Sequence, residues 1–410
     1  MLLARYQSVR DLSLEICQPL KPEDFVVQPV VDVSPPKWHL GHTTWFFETF
    51  VLSNAPGFKV FNDDYGFLFN SYYETVGKRV LRVNRGLMTR PTIDEVMNFR
   101  RFVDEQMETF LTLGEVPSEL LPVIELGLQH EQQHQELLLY DIKYILGHNP
   151  LFPPYRENSP SHSTTSPIDL KFLPVGEGNH DIGYKGNDFH FDNEEGRHKV
   201  FLHDFAIANR LVTNAEYLEF IADGGYQDFR HWLSEGWEWV KAGQIKAPHY
   251  WHSIDGAWHN YTLQGLEEID PNLPVAHVSY FEAEAFARWK GLRLPTEFEW
   301  EVACEHYAPE IPVSSNFVDH RQFGPTVESD EYQFFGNLWQ WTSSSYLPYP
   351  YFKTVEGAIG EYNGKFMVNQ MVLRGGSYAT SRNHMRPTYR NFFHPNLRWL
   401  FNGIRLAKHT

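Results

Sequence analysis

Between residues 148 and 168 the chain changes its pattern, and no single fold accommodates both sides of that change. The segment HNPLFPPYRENSPSHSTTSPI is dense in Pro, Ser, Thr and Asn, the composition of a linker rather than of a packed element. Before it, apolar residues recur at the spacing of amphipathic helices. Beyond it that period nearly vanishes, and short apolar runs alternate with Gly, Asn and aromatic turns. The 410 residues also exceed the roughly 250–300 at which single cores stop growing. Two domains are therefore expected: a helical one over 1–150, a linker over 151–168, and a loop-rich α+β domain over 169–410.

In the first half, Ser34-Pro35-Pro36 reads as a helix start, a capping oxygen followed by prolines whose missing N–H costs nothing there. The run KWHLGHTTWFFETFVLSN continues it. A second helix follows Pro91, with Thr92 as cap and Val96, Phe99, Phe102, Val103, Met107, Phe110 and Leu111 on one stripe. A third runs from about Ser118 to Leu146 and ends at Gly147. With the N-terminal segment these make the four helices of an up-and-down bundle. The aromatic and basic loop over 54–90 is long enough to suggest a functional role. In the second half only SYFEAEAFARWKG and PTEFEWEVACEHY read as helices, and no internal repeat is visible.

Charge narrows the function classes. Against 35 Lys and Arg stand 52 Asp and Glu, a formal charge of −17, which disfavours a general binder of nucleic acid or of an anionic membrane surface. Charges at Arg5, Arg10, Asp11 and Glu15 interrupt any signal-peptide core, and no run of about 18 apolar residues follows. Two cysteines, Cys17 and Cys304, are too few for a disulfide framework. A cytoplasmic protein is the expectation. The 20 histidines stand out, because imidazole is the commonest metal-ligating side chain.

The sharpest local pattern is His130-Glu131-Gln132-Gln133-His134. Histidines at i and i+4 project from one helical face and can share a metal ion, although the same spacing also suits a polar face with two solvated rings. H-E-x-x-H is also the zincin pattern, in which Glu131 would be the general base. The extended form of that pattern has Gly three residues after the second His, and here Leu137 stands there. A second pair, His39 and His42 in WHLGH, lies on another helix of the same bundle. Either of them with His130 and His134 makes a three-histidine face with open positions, suited to zinc hydrolysis or to non-haem iron and O2. In the loop, Tyr72 and Tyr73 precede Arg79, Arg82, Arg85 and Arg90. A phenol beside an open metal position can donate a proton, and an arginine cluster reads carboxylates.

Taken together, SPPKWHLGHTTWFFETF, LFNSYYETVGKR and LQHEQQHQELLLYDIKYILG resemble the ergothioneine-biosynthesis sulfoxide synthases, or hercynine oxygenases. VTNAEYLEFIADGGY, PVAHVSYFEAEAFARWKGLRLPTEFEWE, GNLWQWTSSSY and VLRGGSYATSRNHMRPTYRNFFHP resemble the successive signatures of that family's second domain. The resemblance spans nearly the whole chain. It implies a DinB-like four-helix bundle followed by a domain of the formylglycine-generating-enzyme, C-type-lectin-like fold. It implies Fe(II) on His42, His130 and His134, with Gln133 at the substrate imidazole. It places a catalytic phenol at Tyr72 or Tyr73, as in the subgroup with this tyrosine pair in the bundle loop. Arg79, Arg82 and Arg85 would read the sulfur donor's carboxylates, and Asn391, Phe392 and Phe393 the trimethylammonium group. Phe393 replaces the aspartate of the better-known subgroup, which shifts cation binding toward aromatic faces. The implied reaction uses O2 to join the thiol of cysteine or γ-glutamylcysteine to C2 of the hercynine imidazole, giving a sulfoxide. Selenoneine synthesis and ovothiol-type chemistry on unmethylated histidine are close variants. A zinc hydrolase using HEQQH is the alternative from another class. Formylglycine generation is disfavoured, since Cys304 is the second half's one cysteine.

Overall fold

The computed structural model of the chain describes residues 2–71, 73, 77–113, 116–156, 166–327, 331–354 and 363–410. They form two compact units, one of the described residues up to Arg156 and one of those beyond it.

The first unit is helical. Its long helices are α1 (Leu2–Cys17), α2 (Pro36–Phe50), α4 (Ile93–Leu113) and α5 (Leu121–Gly147), with the short α3 (Tyr65–Phe69) in the loop between α2 and α4. Thr92 caps α4 as expected: its Oγ1 accepts the Glu95 N–H (3.3 Å) while the Glu95 carboxylate accepts the Thr92 N–H (2.6 Å). The start of α2 differs from the sequence reading. Pro36 does occupy its first turn, but the Ser34 hydroxyl does not cap the helix. It accepts instead from the Arg85 guanidinium (2.9 Å), because a buried cation competes for that oxygen more strongly than a backbone N–H.

Tyr6, Val9 and Ile16 of α1, Trp45, Phe46 and Phe47 of α2, Val96, Phe99 and Val103 of α4, and Ile124, Leu128 and Leu139 of α5 are all buried. Two helical glycines let these aromatics fit. A Cβ on Gly127 of α5 would lie 2.7 Å from the Phe47 ring and 2.8 Å from the Phe46 ring, so α2 and α5 approach closely only without it. A Cβ on Gly41 of α2 would lie 2.1 Å from the Phe69 ring. Gly41→Ala should therefore cost about 1–3 kcal/mol by overpacking, read as a lower midpoint in denaturant with an unchanged slope.

Among the described residues the second unit holds four small sheets. Phe172–Val175, Phe205–Ala208 and Ala407–His409 form one, and Asn391–Phe393, Met371–Arg374, Trp339–Ser345 and Asn402–Gly403 another, each in that spatial order. Gly178–Ile182 pairs with His198–Leu202, and Trp251–Ile254, Ala257–Thr262 and Gly265–Glu268 make a meander. The two helices expected here are present as α8 (Tyr280–Trp289) and α9 (Glu297–Tyr307), each with a Ser or Thr capping box. Two more, α6 (Asn214–Ala222) and α7 (Ser234–Gly243), correct the reading that only two segments are helical. Helix α7 carries Gly236 and two tryptophans where α8, of equal length, is rich in Glu and Ala, so its helix propensity is weaker, whereas α6 was readable from its Thr213–Glu216 capping box. A buried ion-pair network joins the elements, with Glu297 accepting from Arg374 (3.0 Å) and Arg390 (2.8 Å). No helix among the described residues is long and apolar enough to cross a membrane.

Candidate metal centre

Helix α2 carries His39 and His42 about one turn apart, and α5 carries His130 and His134 at i and i+4. Because Gly127 lets these helices approach, the two pairs meet in the bundle interior. His42, His130 and His134 each offer one ring nitrogen, and the three atoms lie within 4.8 Å of one another. The Nε2 atoms of His42 and His130 are 3.2 Å apart. Nitrogens bound at about 2.1 Å to one ion and at right angles would be about 3 Å apart, so this spacing suits a shared ion.

The surroundings prepare the rings as ligands. Burial holds His42 and His134 well below the usual imidazole range, the neighbouring His130 adding to it in both, and takes His130 down to about 4. All three are neutral near pH 7, as ligation requires. His42 Nδ1–H donates to the Phe69 carbonyl (2.6 Å), which leaves its Nε2 lone pair facing the cluster. The His42 ring stacks on Trp38 (4.5 Å between centroids, 13° between planes) and on Trp45 (5.7 Å, 18°). The Arg85 guanidinium lies 3.3 Å over the other partner ring, Trp38, and Phe46 flanks His130 at 5.1 Å. A buried lone pair pointed at a second imidazole nitrogen calls for a proton or a cation between them. Three neutral rings presenting lone pairs to one point fit a metal ion.

His39, the other histidine of α2, is turned away from that point. Its Nε2 meets Asp141 Oδ2 at 2.9 Å and its Nδ1 meets His134 Nδ1 at 2.8 Å. Glu131 also stands apart from the zincin arrangement. Its carboxylate accepts from Arg10 (2.8 Å), Arg100 (2.7 Å) and Ser13 (2.6 Å) in the interior of the bundle. Burial alone would raise its pKa, but Arg10 and Arg100 hold it down to about 2. A carboxylate so weakly basic and so engaged cannot serve as a general base, which corrects the hydrolase alternative.

Tyr73 is buried beside Trp45 (5.6 Å between ring centroids), the ring that stacks on His42, whereas Tyr72 lies outside the described residues. Gln133 sits half-buried on α5 between the two ligand positions. Arg79 and Arg82 are half-buried in the loop, and Arg82 donates to the Asp32 carbonyl. Arg85 is buried and donates to Ser34 and Ser71 (2.9 and 3.1 Å). In the second unit, Asn391, Phe392 and Phe393 form the edge strand beside Met371–Arg374. Phe392 stacks on Tyr346 (4.0 Å, 10°), and Phe393 meets Trp399 edge-on (5.4 Å). Sequence reasoning missed Trp38, Trp45, Phe69 and Asp141. Asp141 had a readable signal, lying seven residues after His134 and thus two turns along the same face.

The "Sulfatase-modifying factor enzyme 1-like domain" family matches residues 165–328 and 322–410, and the "DinB superfamily" matches residues 5–138. The fold is accordingly a DinB-like bundle followed by a domain of the sulfatase-modifying-factor kind. Similar proteins include the hercynine oxygenase of Mycolicibacterium thermoresistibile, 34% identical over 317 residues, covering 68% of this chain and 67% of that one. That of Mycolicibacterium smegmatis is 34% identical over 309 residues, covering 69% and 70%. Ergothioneine biosynthesis protein 1 of Schizosaccharomyces pombe is 30% identical over 231 residues, covering 54% and 28%.

Proposed function

The chain belongs to the hercynine oxygenase family, and from that premise we propose that it binds Fe(II) on His42, His130 and His134 and forms the sulfoxide of ergothioneine biosynthesis. The observation that carries this reading is the cluster of three neutral, pre-oriented imidazoles on facing helices. Loaded with Fe(II), three imidazoles on one face leave open positions for O2 and for a substrate thiolate. The protein's own groups do the rest. Phe69 and the Trp38–Trp45 stack orient His42 before any ligand arrives, so little reorganisation accompanies binding. Tyr73 lies beside Trp45, the ring that stacks on His42, which supports Tyr73 as the proton donor, with Tyr72 the other candidate. Gln133 offers an amide between the two α5 ligands for the substrate imidazole. Arg79, Arg82 and Arg85 supply positive charge for the carboxylates of cysteine or γ-glutamylcysteine. Asn391, Phe392 and Phe393 lie in an aromatic neighbourhood suited to a trimethylammonium group. A cytoplasmic location completes the proposal.

The test is anaerobic reconstitution with Fe(II), hercynine and either thiol, followed by O2 and mass spectrometry. A product carrying one new C–S bond and one added oxygen is expected with one of the two thiols. Fully metal-loaded protein that yields no C–S product from either thiol would overturn the reading. Turnover only with a selenol donor, or only with unmethylated histidine, would reassign the substrate while keeping the chemistry.

A further inference from the structure

We propose that Asp141 and His39 are positioning residues for the metal centre: a relay of ordered N–H bonds that holds His134 in the one tautomer able to bind a metal. The inference rests on the metal-centre reading above and extends it to two residues outside the ligand set.

The argument is one of proton placement. Asp141 Oδ2 accepts the Ser34 backbone N–H at 2.8 Å and faces His39 Nε2 at 2.9 Å. A carboxylate oxygen there accepts from His39 as well, so the His39 proton resides on Nε2 and its Nδ1 is left with a lone pair. His39 Nδ1 lies 2.8 Å from His134 Nδ1, and two ring nitrogens at that distance share one proton. With none on His39 Nδ1, the proton belongs to His134 Nδ1. His134 is then compelled to present Nε2 as a lone pair, the form a metal requires. The opposite ordering would put a lone pair of His39 against a carboxylate oxygen. His39 and Asp141 are both almost wholly buried, with relative exposures of 3% and 2%, so no solvent substitutes for either partner. His42 reaches the same state by a shorter route, through the Phe69 carbonyl. Two of the three ligands thus have their tautomer set by the protein, while His130 Nδ1 has no hydrogen-bond partner among the described residues.

The test uses Co(II) as a probe ion, titrated into the full chain and its variants and followed by visible absorption. His39→Ala should weaken Co(II) binding about 10–100-fold, the range typical of lost outer-shell partners, and should alter the d–d band. His39→Gln carries both an acceptor and a donor and should recover most of the affinity, whereas His39→Leu, of similar bulk with no polar atom, should stay as weak as His39→Ala. Because Asp141 acts through His39, adding Asp141→Asn to His39→Ala should weaken binding no further. Unchanged affinity and spectrum in His39→Ala, or a His39→Gln variant as weak as His39→Ala, would overturn the inference alone. A wild-type chain that binds neither Co(II) nor Fe(II) would overturn it together with the metal-centre reading.

Discussion

His134→Ala should leave the bundle folded and reduce Fe(II) affinity by roughly two to three orders of magnitude, with turnover lost at any practical metal concentration. The size follows from the scale of such sites. Four ligands hold a structural zinc ion with about 10–16 kcal/mol, so each is worth about 2.5–4 kcal/mol, and every 1.4 kcal/mol is about tenfold in affinity. Among the described residues three imidazoles make up this cluster, and none of them is redundant. His39 does not take over, because Asp141 anchors it through Nε2 and it is not one of the rings at the shared point. Equilibrium dialysis with metal analysis, alongside circular dichroism, measures the effect. Wild-type metal content in the variant would remove His134 from the ligand set.

Glu131→Ala should have the opposite profile, a large loss of stability. It leaves Arg10 and Arg100 in the bundle interior without the carboxylate between them, although Arg10 retains Asp104 at 2.6 Å. Breaking a buried pair from one side costs about 3–5 kcal/mol. At about 2–4 °C per kcal/mol for a unit of this size, the melting temperature of the first unit should fall by roughly 10 °C. Glu131→Gln, which keeps the shape and some of the hydrogen bonds, should fall less. A general base would behave differently: the Gln variant would keep its melting temperature and lose catalysis. An unmoved melting temperature in Glu131→Ala would show that Arg10 and Arg100 do not depend on it.

These two neighbouring residues show how legible the chain was. The i, i+4 spacing of His130 and His134 is a property of a helix, and a helix there was readable from periodicity, so their common face followed without any tertiary information. The same pattern offered Glu131 as a catalytic base, and nothing local could refuse it. The refusal comes from Arg10 on α1 and Arg100 on α4, both remote in sequence from Glu131. The Ser34 hydroxyl is a similar case. As a local feature it reads as a helix cap, yet Arg85, 51 residues away, takes its oxygen. Helix α7 escaped for a different reason, since Gly236 and its tryptophans lower the helix propensity of so short a run.

The sequence by itself determined the two-part architecture, the helices that carry the histidines and the family, because linker composition, helical periodicity and ordered motifs are local or collinear properties. Helical spacing left open which histidine of α2 joins the pair on α5; the resemblance named His42, and the tertiary structure supplies the physical reason. His39 and His42 lie about 60° apart around their helix, so a modest roll of α2 against α5 would exchange their roles. That roll is set by contacts between segments remote from each other in sequence: Phe69 filling the space over Gly41, and Phe46 and Phe47 seated against Gly127. Close packing admits one such arrangement, and it turns His42 to the metal point and His39 to Asp141.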